Sequence, residues 1–457
     1  MRIRPMQRNS PGQALITLAV YAVAAALTSL AEARTWTEAA SGRKIEAEMV
    51  SSDDKSVTIA VRTGQRFTLP LDRLTAEDQA FVRQNKSSLP QPIGAPPAEK
   101  EARAKADRFE AINMSGADAI PSTGTVNQDL APVDEAIKKF MAEKGIGALT
   151  FAITKEGKVL HNFAYGWSDA KLKIPLPIGT KMRIASLTKP VVSAAIHTLV
   201  TDGKLKMEDH VFTVLELDKL KEAKGCDERW KKITIQQLLE HKGGWDRDKS
   251  GDLTSRGDMI EAMFRIKTEE TEPMHVVRYG LTLPLDFEPG ERSAYSNYGY
   301  ILLARVIEKL SQQTLVDYLQ TTVAGKSKAH SFSLSASDAR DRQPGEVWYC
   351  YHPEYPQKQV PLDFHVEARD GAGALACTAA DYCRFLEHYW ISGEVRDQRR
   401  LAYTFDGSLP GVTAICAQRL DGVCYAAIAN RRDKVQSEWN EELRSAINAA
   451  LARTSLK

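Results

Sequence analysis

Three short runs near the start of the chain, 44–50, 56–61 and 66–71, alternate apolar and polar residues and are separated by polar or glycine-containing breaks. Alternation with period two places every second side chain on one face, so this stretch predicts a short β-meander. Thr75-Ala-Glu-Asp78 then has the composition of a helix N-terminus, predicting a brief helix that ends near Asn85. Beyond a segment without periodicity, the pattern predicts a helix over 133–144 and strands over 148–154 and 159–164, joined by the turn Lys155-Glu-Gly-Lys158. The centre is mostly helical in period. Strands return over 412–418 and 423–430, and a final helix repeats Trp439, Leu443, Ile447 and Leu451 every four residues. Strands at both ends with helices between them predict an α/β (α+β) domain over 126–457, an antiparallel sheet flanked by helices with a helical subdomain.

Composition adds boundaries to this picture. The 457 residues leave room for two or three domains, and 43% hydrophobic with 26% charged residues is an ordinary globular balance. A formal net charge of +2 and the lack of a Lys/Arg cluster argue against a nucleic-acid partner. Arg2, Arg4 and Arg8 precede the apolar run 14–31, which ends in Ala31-Glu-Ala33. That order reads as a secretory signal peptide, 1–33, and predicts a protein exported to the periplasm or beyond the cell; an uncleaved anchor is the alternative. Residues 86–125, opening with Pro90, Pro92, Pro96 and Pro97 and continuing into a charged stretch, read as a linker. Export permits disulfides among Cys226, Cys350, Cys377, Cys383, Cys416 and Cys424; Cys416 and Cys424 flank a hairpin-turn sequence and are candidates to face one another, with six buried thiols as the alternative. No spacing suggests a metal site, and no cofactor is expected.

The candidate chemistry begins at Ser186-Leu-Thr-Lys189. A serine hydroxyl needs a base to become a nucleophile, and residues i and i+3 share one face of a helix. Lys189 can therefore present its amine to Ser186 where backbone N–H groups are unpaired. The same spacing occurs by chance at Ser41-Gly-Arg-Lys44, Ser52-Asp-Asp-Lys55 and Ser168-Asp-Ala-Lys171, but only Ser186 opens a helix, with Val191, Val192, Ala195, Ile196, Leu199 and Val200 as its apolar stripe. Roughly a hundred residues later, Phe287-Glu-Pro-Gly290 precedes Tyr295-Ser-Asn297, which presents a phenol and an amide on the same side of an extended loop. A lysine ammonium beside such a phenol is expected to pull its pKa down and let it move protons.

Together these motifs resemble the serine β-lactamase and penicillin-binding-protein family, in its class C and esterase branch. The neighbouring phrases match in order: Arg183-Ile-Ala-Ser-Leu-Thr-Lys-Pro190, Ile235-Gln-Gln-Leu-Leu-Glu-His-Lys-Gly243, Tyr295-Ser-Asn-Tyr-Gly-Tyr300 and Gly371-Ala-Gly-Ala-Leu-Ala-Cys-Thr-Ala-Ala-Asp381. The resemblance implies Ser186 as the acyl-accepting nucleophile, Lys189 as its activator, Tyr295 as general base/acid and Asn297 as a ligand of the substrate's amide or carbonyl. The family's third motif, Lys-Thr-Gly or His-x-Gly, matches Phe405-Asp-Gly-Ser408. Gly407 and the backbone N–H of Ser408 are retained for substrate binding and an oxyanion hole, but Phe405 stands where a cation is expected. The expectation is an exported serine hydrolase acting on a small acyl, ester or peptide-like substrate rather than an efficient β-lactamase. A non-catalytic binding protein on the same scaffold is the alternative.

The phrases Arg34-Thr-Trp-Thr37, Gly42-Arg-Lys44, Phe67-Thr-Leu-Pro-Leu71, Leu74-Thr75 and Phe81-Val82 give residues 34–85 a second resemblance, to homology domain 1 of endocytic adaptors. It implies a small barrel-like module with a protein or peptide partner; a structural spacer is the alternative reading.

Overall fold

The computed structural model describes residues 34–85 and 120–456, apart from 38, 40–41, 43, 53–54, 61–65, 126, 170–172, 338–342, 344, 353–354, 360–364 and 433–437. The segment read as a signal peptide and residues 86–119 of the linker lie outside the described residues. The chain divides into two compact units, residues 1–104 and 105–457.

In the first unit, β1 (Arg34–Thr37), β2 (Lys44–Ser52), β3 (Ser56–Ala60) and β4 (Arg66–Pro70) pair antiparallel in sequence order, followed by helix α1 (Ala76–Asn85). Among the described residues the pairing runs only from β1 to β4, so the sheet is an open meander and not a closed barrel. Trp36, Val57, Ile59, Leu71, Leu74 and Val82 form its core. Arg34 lies over the rings of Trp36 and Phe81 and pairs with the buried Asp78, which also accepts from Thr37 N and Thr75 Oγ1.

The second unit is built on a seven-stranded sheet. β5 (Ser122–Gly124), β6 (Ala148–Lys155) and β7 (Lys158–Asp169) come from its beginning, with β8 (Ile174–Pro175) beside β7; β14 (Tyr403–Leu409), β15 (Val412–Gln418) and β16 (Val423–Ala429) come from its end. The main path runs β14-β15-β16-β6-β7-β5, antiparallel where pairs meet, so both ends of the domain sequence join at the β16–β6 seam. β5 lies within the segment that the sequence reads as linker. Because β6, β15 and β16 are covered on both faces, every residue of β15 and β16 is buried and the period-two alternation is replaced by near-continuous apolar runs.

Helix α2 (Ala131–Lys144), ended by Gly145 in the left-handed conformation at φ 60°, and helix α7 (Glu438–Leu451) cover one face through Phe140, Met141, Trp439, Leu443 and Ile447. The other face meets the helical part: α3 (Thr188–Thr201), α4 (Ile235–Leu239), α5 (Asn297–Ser311) and α6 (Ala379–His388). A second, small sheet in the order β10-β13-β9, of Ser333–Leu334, Leu375–Cys377 and Met182–Arg183, leads the chain to Ser186; β11 (Cys350–His352) and β12 (Tyr355–Gln359) form a separate hairpin.

Cys226, Cys377, Cys383, Cys416 and Cys424 are free thiols. The β15–β16 register explains the failure of the expected pairing, because it sets Cys416 opposite Ala426 and Cys424 opposite Gln418. Among the described residues, no helix is long and apolar enough to cross a membrane and no cluster of candidate metal ligands occurs.

Candidate active site

Ser186 sits in a single 3-10 turn, Ala185–Leu187, that runs directly into α3. Ala185 has φ 48°, a left-handed conformation that a side-chain-bearing residue holds only when its surroundings enforce it. The enforcement is visible. Ile184 N donates to Leu375 O at 2.9 Å, Tyr382 Oη donates to Leu187 O at 2.9 Å, and Leu375 N donates to Thr188 Oγ1 at 3.3 Å. The turn leaves Ser186 partly exposed between buried Ala185 and Leu187.

Lys189, two residues inside α3, is buried. Its Nζ donates to Ala372 O at 2.6 Å, to Asn297 Oδ1 at 2.8 Å and lies 3.2 Å from Ser186 Oγ. Burial is the main cause that brings its pKa down to about 7; Asp252 opposes this, and Arg369 and Arg247 add to it. A neutral amine at that position is a base at ordinary pH.

Tyr295 reaches Ser186 from the loop before α5, its Oη donating to Ser186 Oγ at 2.7 Å. The sequence reading expected a lowered pKa, but desolvation dominates and pushes the phenol up to about 12. Tyr295 is therefore a proton donor with its proton in place. Its ring stacks on His241, 4.6 Å away at 26°, and carries the Arg247 guanidinium at 4.7 Å on its face. His241 Nδ1 accepts from Ser296 N at 3.1 Å, and burial brings this imidazole down to about 4, so it stays neutral. It lies just beyond the end of α4, which stops at Leu239.

Asn297 opens α5, where Ser296 caps the helix by accepting from Gly299 N. Both ends of its amide have partners: Oδ1 takes Lys189, and Nδ2 donates to Asp252 Oδ2 at 2.6 Å. One N–H is left to meet a ligand.

Gly407 and Ser408 lie on β14, the edge strand. A Cβ on Gly407 would collide with Ile184 O and press on Ala185 and Leu187, so only glycine lets the strand lie against the Ser186 turn. Leu409 and Val412 close a two-residue turn, and the alternation of an antiparallel ladder then leaves the Ser408 N–H on the free edge. Phe405 faces the same side as Gly407, packed partly against the core. Asp406 pairs with Arg444 of α7, and it also borders the cavity that holds Ser186.

All six sequence-predicted residues thus converge. Ser186, Tyr295, Asn297 and Ser408 line one cavity of about 800 Å³, together with Arg247, Asp252, Arg369, Phe405 and Arg432; Lys189 meets Ser186 from the neighbouring cavity, and Gly407 packs against the Ser186 turn. Sequence reasoning missed Asp252, Arg247 and Arg369. They lie in short turns and loops too brief to show periodicity, Arg247 exposed, Asp252 part-buried and Arg369 buried, and only the fold brings their charges near Lys189.

A family model described as Beta-lactamase matches residues 133–415. Among curated proteins, the chain is 30% identical over 229 residues to the probable fimbrial assembly protein FimD, serogroup H1, of Dichelobacter nodosus, covering 48% of this chain and 52% of that protein. It is 30% identical over 193 residues to Protein flp of Staphylococcus aureus strain MRSA252, covering 42% and 36%. The chain therefore spans about half the length of the fimbrial relative and about a third of the other. In fold, it is similar to the D-amino acid amidase of Ochrobactrum anthropi SV3 (TM-score 0.55, 17% identity, 72% and 98% of the two chains). It is likewise similar to the octameric penicillin-binding protein homologue of Pyrococcus abyssi (TM-score 0.56, 18% identity, 72% and 78%).

Proposed function

Because this chain belongs to the β-lactamase family of serine hydrolases, we propose that it hydrolyses esters or amides through an acyl-enzyme on Ser186, without efficient β-lactamase activity. The observation that carries the reading is the Ser186 hydroxyl held between a base brought down to about 7 and a phenol at about 12. The two groups divide the proton work. Lys189 takes the Ser186 proton as Oγ bonds to the acyl carbon; the oxyanion meets the Ser186 and Ser408 N–H groups, each such donor being worth about 10²–10³ in rate. As the bond to the leaving group breaks, Tyr295 supplies it with a proton and recovers one from Lys189. Water then attacks the acyl carbon with its proton passing to the same pair, and Ser186 is released.

Phe405 supports the neutral-substrate part of the reading, since an apolar ring replaces a cation on the strand wall. Amidase and hydrolase neighbours of the same fold are consistent with the range of leaving groups. The basic, apolar, small-x-small order of residues 1–33 supports export, and residues 34–85 are read as a peptide- or protein-binding module; loss of a binding partner on deleting 34–85 is the expected result for the latter.

The test is reaction of the purified protein with a fluorophosphonate, read by intact mass and peptide mapping beside Ser186→Ala. A single adduct on Ser186, absent in the variant, is expected. A folded protein that gives no adduct would overturn hydrolysis in favour of a binding scaffold.

A further inference from the structure

Neutral Lys189 has two N–H groups and one lone pair, and its three neighbours are Ala372 O, Asn297 Oδ1 and Ser186 Oγ. To act on Ser186 the amine must spend both N–H groups on the first two. That requires Asn297 to turn its oxygen, not its NH₂, toward Lys189. Asn297 alone has no such preference, because the two ends of an amide are nearly the same shape.

The preference comes from Asp252. Its carboxylate accepts only, so it takes the Nδ2 end of Asn297 at 2.6 Å and leaves Oδ1 facing Lys189. The carboxylate is itself held: Oδ1 accepts from Thr254 N at 3.0 Å and Thr254 Oγ1 at 2.7 Å, and Arg369 Nη2 lies 4.0 Å from Oδ2. Arg369 is in turn fixed by Thr254 O and Ser255 Oγ. We propose that Asp252 is a positioning residue which, by fixing the Asn297 amide, aims the Lys189 lone pair at the Ser186 hydroxyl.

The inference rests on the acyl-enzyme reading above. The other groups around Lys189 do not supply this orientation. The Tyr295 and Tyr300 rings lie 4.8 and 5.6 Å from Nζ, and His241 is neutral behind Tyr295. Arg247 and Arg369 are cations, and Asp370, beside the segment that offers Ala372 O, is engaged by Arg305. Asp252 is the group here whose charge favours protonated Lys189.

The test measures the rate of fluorophosphonate labelling at Ser186 from pH 5 to 9 in the full chain. Wild type should rise through a midpoint near 7, the value to which burial brings Lys189. Asp252→Asn keeps an oxygen to cap Thr254 and so keeps the local turn, but it removes a charge and no longer dictates the amide. Its midpoint should fall by about one pH unit, and its plateau by about tenfold. Asn297→Ala should lower the plateau comparably, and adding Asp252→Asn to it should lower the plateau no further. An Asp252→Asn midpoint equal to wild type, or a double variant whose losses simply multiply, would overturn the inference while leaving the acyl-enzyme reading intact. A wild-type protein that never labels at Ser186 overturns both.

Discussion

On the helical wall of the cleft, Asp252, Asn297 and Lys189 are joined by hydrogen bonds of 2.6 and 2.8 Å and reach Ser186 across 3.2 Å, with Tyr295 closing on the same hydroxyl. On the strand wall, Phe405, Gly407 and Ser408 offer a ring, a missing side chain and a backbone N–H. One wall has its polar side-chain atoms committed before any substrate arrives. The other contributes shape and main chain, with the Arg432 guanidinium beside it donating to Ser408 Oγ at 3.3 Å. The difference separates two tasks: proton movement needs fixed partners, because a misdirected lone pair is no base, whereas substrate choice can change by swapping one edge-strand side chain while the backbone that holds the oxyanion is kept.

The comparison breaks first, and most severely, on the helical wall. Ser186→Ala should abolish labelling and turnover with the melting temperature little changed, since Ser186 is only partly buried. Lys189→Met keeps the stem but removes the base, and the expected loss is about 10²–10⁴ in rate. It also leaves Ala372 O and Asn297 Oδ1 without their donor, which should cost about 1–3 kcal/mol for each acceptor that water cannot reach. Paired kinetic and denaturant measurements separate the two effects. In wild type the acid limb should lie near pH 7, because protonated Lys189 has no lone pair, and the basic limb should lie beyond the usual assay range, because Tyr295 holds its proton to about 12.

On the strand wall the largest effect is expected at Gly407. Gly407→Ala drives a methyl group into Ile184 O, next to the left-handed Ala185 and the nucleophile turn. Overpacking of this kind costs about 1–3 kcal/mol. A shift of the turn by about 1 Å against Lys189 and Tyr295 is enough for roughly a hundredfold loss in kcat. Unchanged kcat with lowered stability would mean that β14 moves and the turn does not, and that the two walls are less coupled than the close approach implies.

The two walls were also unequally legible in the sequence. α3, α7 and the β6–β7 and β15–β16 hairpins follow from periodicity and turn residues, which are local. Ser186, Lys189, Tyr295 and Asn297 follow from short motifs. Asp252 and Arg369 do not, because their role lies in distances between segments that are remote in sequence, 45 residues from Asp252 to Asn297 and more than a hundred from Arg369 to Asp252 and Thr254. The Tyr295 pKa went the other way for a related reason: the sequence reading weighed only a lysine ammonium beside the phenol, while burial, a property of the whole fold, dominates. Cys416 and Cys424 failed by register, since the expected cross-strand pairing is displaced along the hairpin.

The smallest expected effect sharpens what the strand wall selects. Phe405 borders the cavity beside Ser186 and a second one of about 780 Å³ that runs along α3 past His197 and Glu208. Phe405→Lys places a cation there, on the face shared with Gly407. A partly exposed charge pair is worth about 0–1 kcal/mol, so the ratio of kcat/KM for an ester carrying a carboxylate to that for its neutral isostere should rise no more than about fivefold. Part of this gain will be offset because the ammonium is drawn from water toward the apolar neighbours that now hold the ring. Labelling of Ser186 by a neutral fluorophosphonate should stay within a few-fold of wild type, because the ring takes no part in the hydrogen bonds that join Asp252, Asn297, Lys189, Ser186 and Tyr295. A large fall in that labelling would show that the ring supports the Lys189 side of the cleft, and the division between a wall that moves protons and a wall that chooses substrates would have to be redrawn at residue 405.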